Sequence, residues 1–390
     1  MLLREDDTNY EMISSPIIHA NVTRAAHTGR MRILIVSDAG APQINGVVST
    51  LTQTASWLNR FGHDVEQVTP AQFRSLPCPT YPEIRVALRG YRGITKRIEA
   101  FEPQFIHIAT EGPLGLAARR YCREHGLRFT TSYHTQFPQY IRSRVPIPLA
   151  LTFFALRWFH SAAERCLVST QAIQNDLKSR GFIRLARWGR GVDTERFRPR
   201  DKAFLNLPRP IAAYVGRVAV EKNISAFMRM RWMGSKLVIG DGPECAKLKA
   251  AFPEVQFVGF LFDDALAQSL AAADVLVFPS RSDTFGLVML EAMACGVPIA
   301  AYPVTGPIDV VDDGITGALD EDLRSAAIRA LSIDPRACRA RALRSGWDLC
   351  TREFERNLVP CAAAGTRPMH THLRSGNAPN DILFRRAPPA

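Results

Sequence analysis

Two acidic side chains eight positions apart, Asp283 and Glu291, stand in the segment PSRSDTFGLVMLEAMACGVPIA (279–300), where an apolar run leads through a polar loop into a helix expected to start near Phe285. Asp283 would lie in the loop and Glu291 about two turns inside the helix, on a face reachable from the same cleft. The backbone N–H groups of Gly286, Leu287 and Val288 would head that helix without intrahelical acceptors, which suits a diphosphate. An acidic cap followed by a solvated glutamate is the plainer reading of the same residues. A second group, GRVAVEKN (216–223), places Arg217 and Lys222 just past another apolar run. A guanidinium fork and an ammonium point charge can together neutralise a diphosphate leaving group, although surface cations are common and prove little alone. The GDGP turn (240–243) and the loop after Phe257 add two further polar strand ends. His134 closes FTTSYH (129–134); a lone histidine there is often a satisfied loop residue, but a strand end favours a functional role.

These groups need a scaffold that gathers strand ends along one edge. MRILIVSD (31–38) is a continuous apolar run ending in a polar loop, the pattern of a strand buried on both faces. A helix at about 46–61, a strand near Asp64–Thr69, a helix around 93–101, the run FIHIAT (105–110), a helix from near Gly115, and the runs FTTSYH and RCLVST (165–170) continue the alternation. After the turn-rich stretch 197–210 the pattern restarts with IAAYVGR (211–217), KLVIGDGP (236–243), VQFVGF (255–260), DVLVFPS (274–280) and PIAAYP (298–303), and residues 321–358 read as helical. Alternating strands and helices imply parallel sheets covered on both faces, so the expected fold is α/β with two Rossmann-like, doubly wound domains.

The chain has 390 residues, more than one core usually organises, with 46% hydrophobic and 22% charged residues. The eight cysteines show no metal-ligand spacing and read as reduced thiols. The net charge of +12 is uneven: residues 31–200 carry 24 Lys and Arg against 12 Asp and Glu, residues 201–361 carry 18 against 20. No nucleic-acid-binding signature accompanies the basic half, so nucleic acid is not expected as a partner and an anionic membrane surface is the better match. No apolar run reaches bilayer-spanning length.

In order and spacing, GRxxxEK, GDGP and the acidic-x7-Glu segment DTFGLVMLE resemble the family 4 retaining glycosyltransferases of the GT-B fold, over Met31 to about Leu358. PQINGV (42–47), SYHTQFPQY (132–140), GRGVDTERFRP (189–199) and PVTGPIDV (303–310) are similar to bacterial α-mannosyltransferase-like and glycolipid-forming members. The resemblance implies two domains facing each other across a cleft: an acceptor domain over 31–200, a nucleotide-sugar donor domain over 201–345, and a helix over 346–361 crossing back to the first. Residues 1–30 are expected as a flexible extension and 362–390 as a disordered tail.

By the same resemblance, Arg217 and Lys222 bind the donor diphosphate, approached by the backbone of Gly46. Asp283 meets the sugar hydroxyls, Glu291 the ribose hydroxyls, and the backbone near Phe260 and Leu261 the base. His134 lies near the transferred sugar and acceptor. Asp283 stands where many members have glutamate, one methylene longer, which bears on the choice of sugar. The implied activity is retaining hexosyl transfer from a GDP-mannose or UDP-glucose type donor, without metal or cofactor, to a saccharide or a membrane lipid such as diacylglycerol. The implied location is cytoplasmic, peripheral at the inner membrane. IPLALTFFALRWF (147–159), after Arg142 and Arg144, reads either as a membrane-interface segment or as a buried helix. A nucleotide-sugar epimerase of the same architecture and a non-catalytic sugar-nucleotide-binding protein remain the alternatives. A dinucleotide-dependent oxidoreductase is disfavoured because no GxGxxG follows a strand.

Overall fold

The computed structural model describes residues 29–43, 45–78, 81–88, 90–136 and 148–362. Most of the expected N-terminal extension and C-terminal tail, together with Arg142, Arg144 and the end of SYHTQFPQY, lies outside the described residues.

The first sheet contains β1 (Arg32–Val36), β2 (Asp64–Val68), β5 (Phe105–Ile108), β6 (Thr130–Tyr133), β7 (Arg165–Val168) and β8 (Leu185–Arg187), in the order β2-β1-β5-β6-β7-β8. A separate antiparallel hairpin, β3 (Ser75–Cys78) with β4 (Tyr81–Ala87), interrupts the alternation. The second sheet contains β9 (Ala212–Val215), β10 (Lys236–Ile239), β11 (Gln256–Gly259), β12 (Val275–Phe278), β13 (Ile299–Ala301) and β14 (Gly317–Leu319), in the order β11-β10-β9-β12-β13-β14. Neighbouring strands within both six-stranded sheets are parallel.

Helices of the first part are α1 (Gly46–Arg60), α2 (Gly90–Phe101), α3 (Pro113–Glu124), α4 (Leu149–Ser161) and α5 (Gln171–Ser179). Those that follow are α6 (Ile224–Arg229), α7 (Cys245–Ala251), α8 (Asp263–Ala272), α9 (Leu287–Ala294), α10 (Pro307–Val310), α11 (Leu323–Ala330), α12 (Pro335–Leu343) and α13 (Trp347–Asn357). The unbroken apolar runs of the strands follow from this arrangement. In β1, Leu34 and Val36 pack with Ile94 of α2 and Leu114 of α3, while Ile33 and Ile35 pack with Leu51 of α1 and Phe354 of α13. Successive side chains enter opposite cores, so the four buried positions of β1 after Arg32 are all apolar. The second sheet repeats this: Leu237 and Ile239 face Leu270 and Met293, and Val238 faces Phe227 and Leu248.

The last helix, α13, leaves the second sheet's neighbourhood and buries Trp347, Cys350 and Phe354 against the first. Two crossings of the chain, near Val192 and at Ser345–Gly346, lie side by side, with Val192 N–H donating to Ser345 O at 2.8 Å.

Three expectations change. The helix expected near Gly115 starts at Pro113, and the one expected near Phe285 starts at Leu287 because Gly286 adopts a left-handed φ of 87°. The helical stretch 321–358 is three helices, α11 to α13, and β8, β14 and the hairpin are additional strands. β8 and β14 have three residues each, too short for a periodicity to register.

Each sheet reverses its strand order once, between β1 and β5 and between β9 and β12. Loops leaving the carboxyl ends of strands at such a point splay apart and open a crevice.

Candidate functional site

At the β9/β12 crevice, Arg217 follows β9 by two residues and Asp283 follows β12 by five. The GDGP turn braces the loop that carries Arg217. Val218 N–H donates to Asp241 O (2.9 Å) and Glu244 N–H to Val218 O (3.1 Å). A Cβ on Gly240 would stand 2.0 Å from Gly216 O, and one on Gly242 2.4 Å from Val218 O, so both positions require glycine. The Tyr214 hydroxyl donates to Arg217 O at 2.6 Å, fixing the turn from below. Lys222 Nζ donates to Asp283 Oδ1 at 2.5 Å, and Asn223 Nδ2 to Pro279 O at 3.0 Å, joining the two loops. Asp283 Oδ2 is buried and has no hydrogen-bond partner among the described residues. An unmet buried acceptor costs about 1–3 kcal/mol, so this oxygen is poised for a donor from outside the chain.

Helix α9 begins at the same crevice. Met289 N–H bonds back to Gly286 O (3.0 Å), leaving the N–H groups of Gly286, Leu287 and Val288 ahead of the helical ladder. Phe285 is partly buried against the second core, and Gly306 backs the loop: its Cβ would lie 2.9 Å from Asp283 O. Across the crevice, a Cβ on Gly46 would be 3.4 Å from Leu287 Cδ1, so the starts of α1 and α9 meet there. The Asn45 side chain caps α1, accepting from Val47 N–H and Val48 N–H at 3.0 Å each. Two helix N-termini converge, and their dipoles favour an anion between them. Glu291 sits one turn inside α9, half-buried, rather than the two turns expected, and burial raises its carboxyl to about 7.

His134 follows β6 and is buried, and the Thr284 hydroxyl donates to its carbonyl at 2.7 Å. Arg190 Nη2 approaches His134 Nδ1 at 3.0 Å, while His134 Nε2 is buried without a partner among the described residues. Burial, with Arg190, His107 and His160 nearby, holds the ring well below its ordinary pKa. Ser169 Oγ donates to Thr284 O (3.0 Å), and Asp309 Oδ1 accepts from Gln171 N–H (3.0 Å) at the start of α5.

Phe260 and Leu261 follow β11, the edge strand, with β10 and β9 between it and β12. Phe260 is exposed and stacks on Phe262 at 6.1 Å, whereas Leu261 packs on the second core.

The first sheet's crevice is filled by the protein itself. Asp38 Oδ1 accepts from Leu114 N–H (2.8 Å), and Oδ2 from Gly115 N–H (3.2 Å) and the Thr110 hydroxyl (3.0 Å). Its pKa is raised, burial outweighing these bonds.

Away from the crevices, α4 carries features of both readings of its segment. Phe153, Leu156 and Phe159 are buried, yet Leu151, Phe154 and Trp158 are exposed by 60%, 58% and 49%. Arg119 lies 3.8 Å over the Trp158 ring, and a cavity of about 310 Å3 opens between Phe154, Trp158 and the loop Gly181–Ile183. No helix of the described residues is long and apolar enough to cross a membrane.

Lys222 with Asp283, Gly46 with Leu287, and His134 with the loop carrying Asp283 are thus brought together. Thr284, Arg190, Ser169, Asp309 and Asp38 were not expected. Arg190 and Asp309 lie in segments noted for other reasons, and Asp38 ends the first apolar run, so strand-end position was the available signal.

A family model described as "Glycosyltransferase Family 4" matches residues 44–196, and one described as "Glycosyl transferases group 1" matches 209–332. The chain is 31% identical to sulfoquinovosyl transferase SQD2 of Arabidopsis thaliana, over 81% of this chain and 68% of that protein. It is 28% identical to a GDP-mannose-dependent alpha-mannosyltransferase of Mycobacterium tuberculosis, over 74% and 83%. The structure of sucrose-phosphate synthase from Thermosynechococcus elongatus superposes with a TM-score of 0.68 at 22% identity, covering 84% of this chain and 98% of that one.

Proposed function

The chain belongs to the family 4 glycosyltransferases of the GT-B fold, enzymes acting on sugar nucleotides, and on that premise we propose that it moves a hexose, with retention and without a metal, from a GDP-mannose or UDP-glucose type donor to an acceptor hydroxyl. The observation that carries the reading is the β9/β12 crevice, where Lys222 is paired with a carboxylate whose other oxygen is buried without a partner among the described residues. In this reading the diphosphate lies between the starts of α1 and α9 with Arg217 and Lys222 over it, and Asp283 Oδ2 accepts a sugar hydroxyl. Charge developing on the departing diphosphate is met by two cations and two helix dipoles, the task a divalent ion performs elsewhere. The C–O bond to the phosphate breaks as the acceptor oxygen approaches from the same face, and a phosphate oxygen of the donor takes the acceptor's proton. Glu291 holds the ribose and the backbone at Phe260 and Leu261 the base. The relative named for GDP-mannose supports the guanine branch.

A lipid acceptor such as diacylglycerol, met at the cytoplasmic face of the inner membrane, is supported by the exposed apolar side of α4 with Arg157 on it and Arg119 of α3 beside it. Flotation with anionic vesicles at low salt tests it: wild type should float and Phe154→Ser/Trp158→Ser should not, and failure of wild type to bind removes the membrane reading. The donor site is tested by thermal shift with GDP, UDP and ADP. One nucleotide should stabilise the wild type and lose its effect in Lys222→Ala; stabilisation by none would overturn the assignment. Product formed without an acceptor would mark an epimerase instead.

A further inference from the structure

We propose that Arg190 is a positioning residue that fixes the His134 ring in its neutral Nε2–H form, so that His134 offers the cleft a hydrogen-bond donor and never a base at Nε2. The role at the cleft rests on the function proposed above, whereas the state of the ring is set within the protein. A guanidinium has donors only. With Arg190 Nη2 at 3.0 Å from Nδ1, the ring nitrogen must accept through its lone pair, and the single proton of the neutral ring resides on Nε2. A second proton on Nδ1 would set N–H against N–H beside a cation. The titratable groups facing the ring, Arg190, His107 and His160, all act against its protonation, as does burial.

Arg190 is itself held. Its Nη1 donates to Trp188 O and Gly189 O at 2.8 Å each, and its guanidinium lies 4.7 Å over the Trp188 ring. Burial lowers its pKa to about 10, which leaves it cationic near neutrality. The Trp188 ring also meets His134 edge-on at 5.5 Å, and Thr284 anchors the histidine's carbonyl. Arg190, Trp188 and Thr284 thus hold the histidine, while its Nε2 is buried without a hydrogen-bond partner among the described residues. Such a group binds an oxygen of the sugar or phosphate. It has no lone pair with which to take the acceptor's proton, which leaves the donor phosphate oxygen as the site that receives it.

The test is a two-bond 1H–15N correlation spectrum of the protein labelled on histidine nitrogen, with the His134 signal assigned by its loss in His134→Gln. The expected result is the neutral Nε2–H pattern from about pH 8 down to about pH 5. An Nδ1–H pattern, or an imidazolium near pH 7, would overturn the proposal. In Arg190→Gln the ring should show mixed tautomers and titrate. There kcat should fall about 100-fold, with KM for the donor changed less than about 3-fold, and Arg190→Lys should recover about 10-fold of the loss. A folded Arg190→Gln with wild-type turnover would sink the idea; if that variant does not fold, the wild-type spectrum decides. Failure of the donor reading is distinguishable, since it removes the nucleotide-induced thermal shift of the wild type and leaves the spectrum unchanged.

Discussion

Two residues beyond β1 the first sheet carries Asp38, and two residues beyond β9 the second carries Arg217. The strand orders differ, but each reverses once, beside the first strand of its sheet, so the crevices are topologically alike; yet in the first a carboxylate has taken the place an anion would occupy. Asp38 collects the N–H groups at the start of α3, and the fit is close: a Cβ on Gly112 would lie 2.4 Å from its Cγ. In the second, Lys222 pairs only half of Asp283, and the start of α9 faces the start of α1 rather than a side chain of its own. Topology makes the crevice, and the sign of one residue at the strand end decides whether it is filled from within or kept for a ligand.

The sharpest way to break this comparison is at Lys222. Lys222→Met should lower kcat/KM about 100- to 1000-fold with little change in melting temperature, because in the proposed reaction the ammonium meets charge that develops in the transition state. Steady-state kinetics beside a melting curve check it, and a large stability loss with unchanged turnover would make the second crevice structural like the first. Asp38→Ala should do the reverse. Loss of the α3 cap and of its buried partners should cost about 1–3 kcal/mol in denaturant unfolding, and nucleotide affinity should be retained. Abolished nucleotide binding in a folded Asp38→Ala protein would erase the distinction.

The smallest expected effect concerns Glu291, whose carboxyl burial raises to about 7. A raised folded-state value stabilises the folded chain below the carboxyl's ordinary range, and this contribution is lost as pH rises through about 7. A ribose-binding carboxylate has to be ionised, so nucleotide affinity should tighten by up to about tenfold as pH rises through that value. Titration calorimetry at several pH values checks this, and Glu291→Gln should flatten the profile.

Much of the second crevice was legible because its residues are grouped locally: Arg217 and Lys222 share one loop, and Asp283 to Glu291 one loop and helix. The sheets were legible where strands covered on both faces carry unbroken apolar runs, as β1 and β12 do, although β5 and β6 also bury His107, Thr130, Thr131 and Ser132. The first crevice was not, since Asp38 finds its partners 72 to 77 residues away and nothing in SDAG (37–40) distinguishes a cap from a solvated aspartate. The pair Arg190 and His134 spans 56 residues, and Thr284 with His134 spans 150. The start of α9 was misplaced because the backbone angle of Gly286, not its type alone, delays the helix.

The paired crossings at Val192 and Ser345 have a mechanical meaning. Two crossings joined by a parallel bridge, as Val192 and Gly346 are, form a short double tie in place of two independent linkers. Arg339 rivets one side of that tie to the second half through Phe197 O, Ala294 O and Thr194 O. Any rotation of one half against the other therefore has to be accommodated by both crossings at once, at this one edge of the molecule.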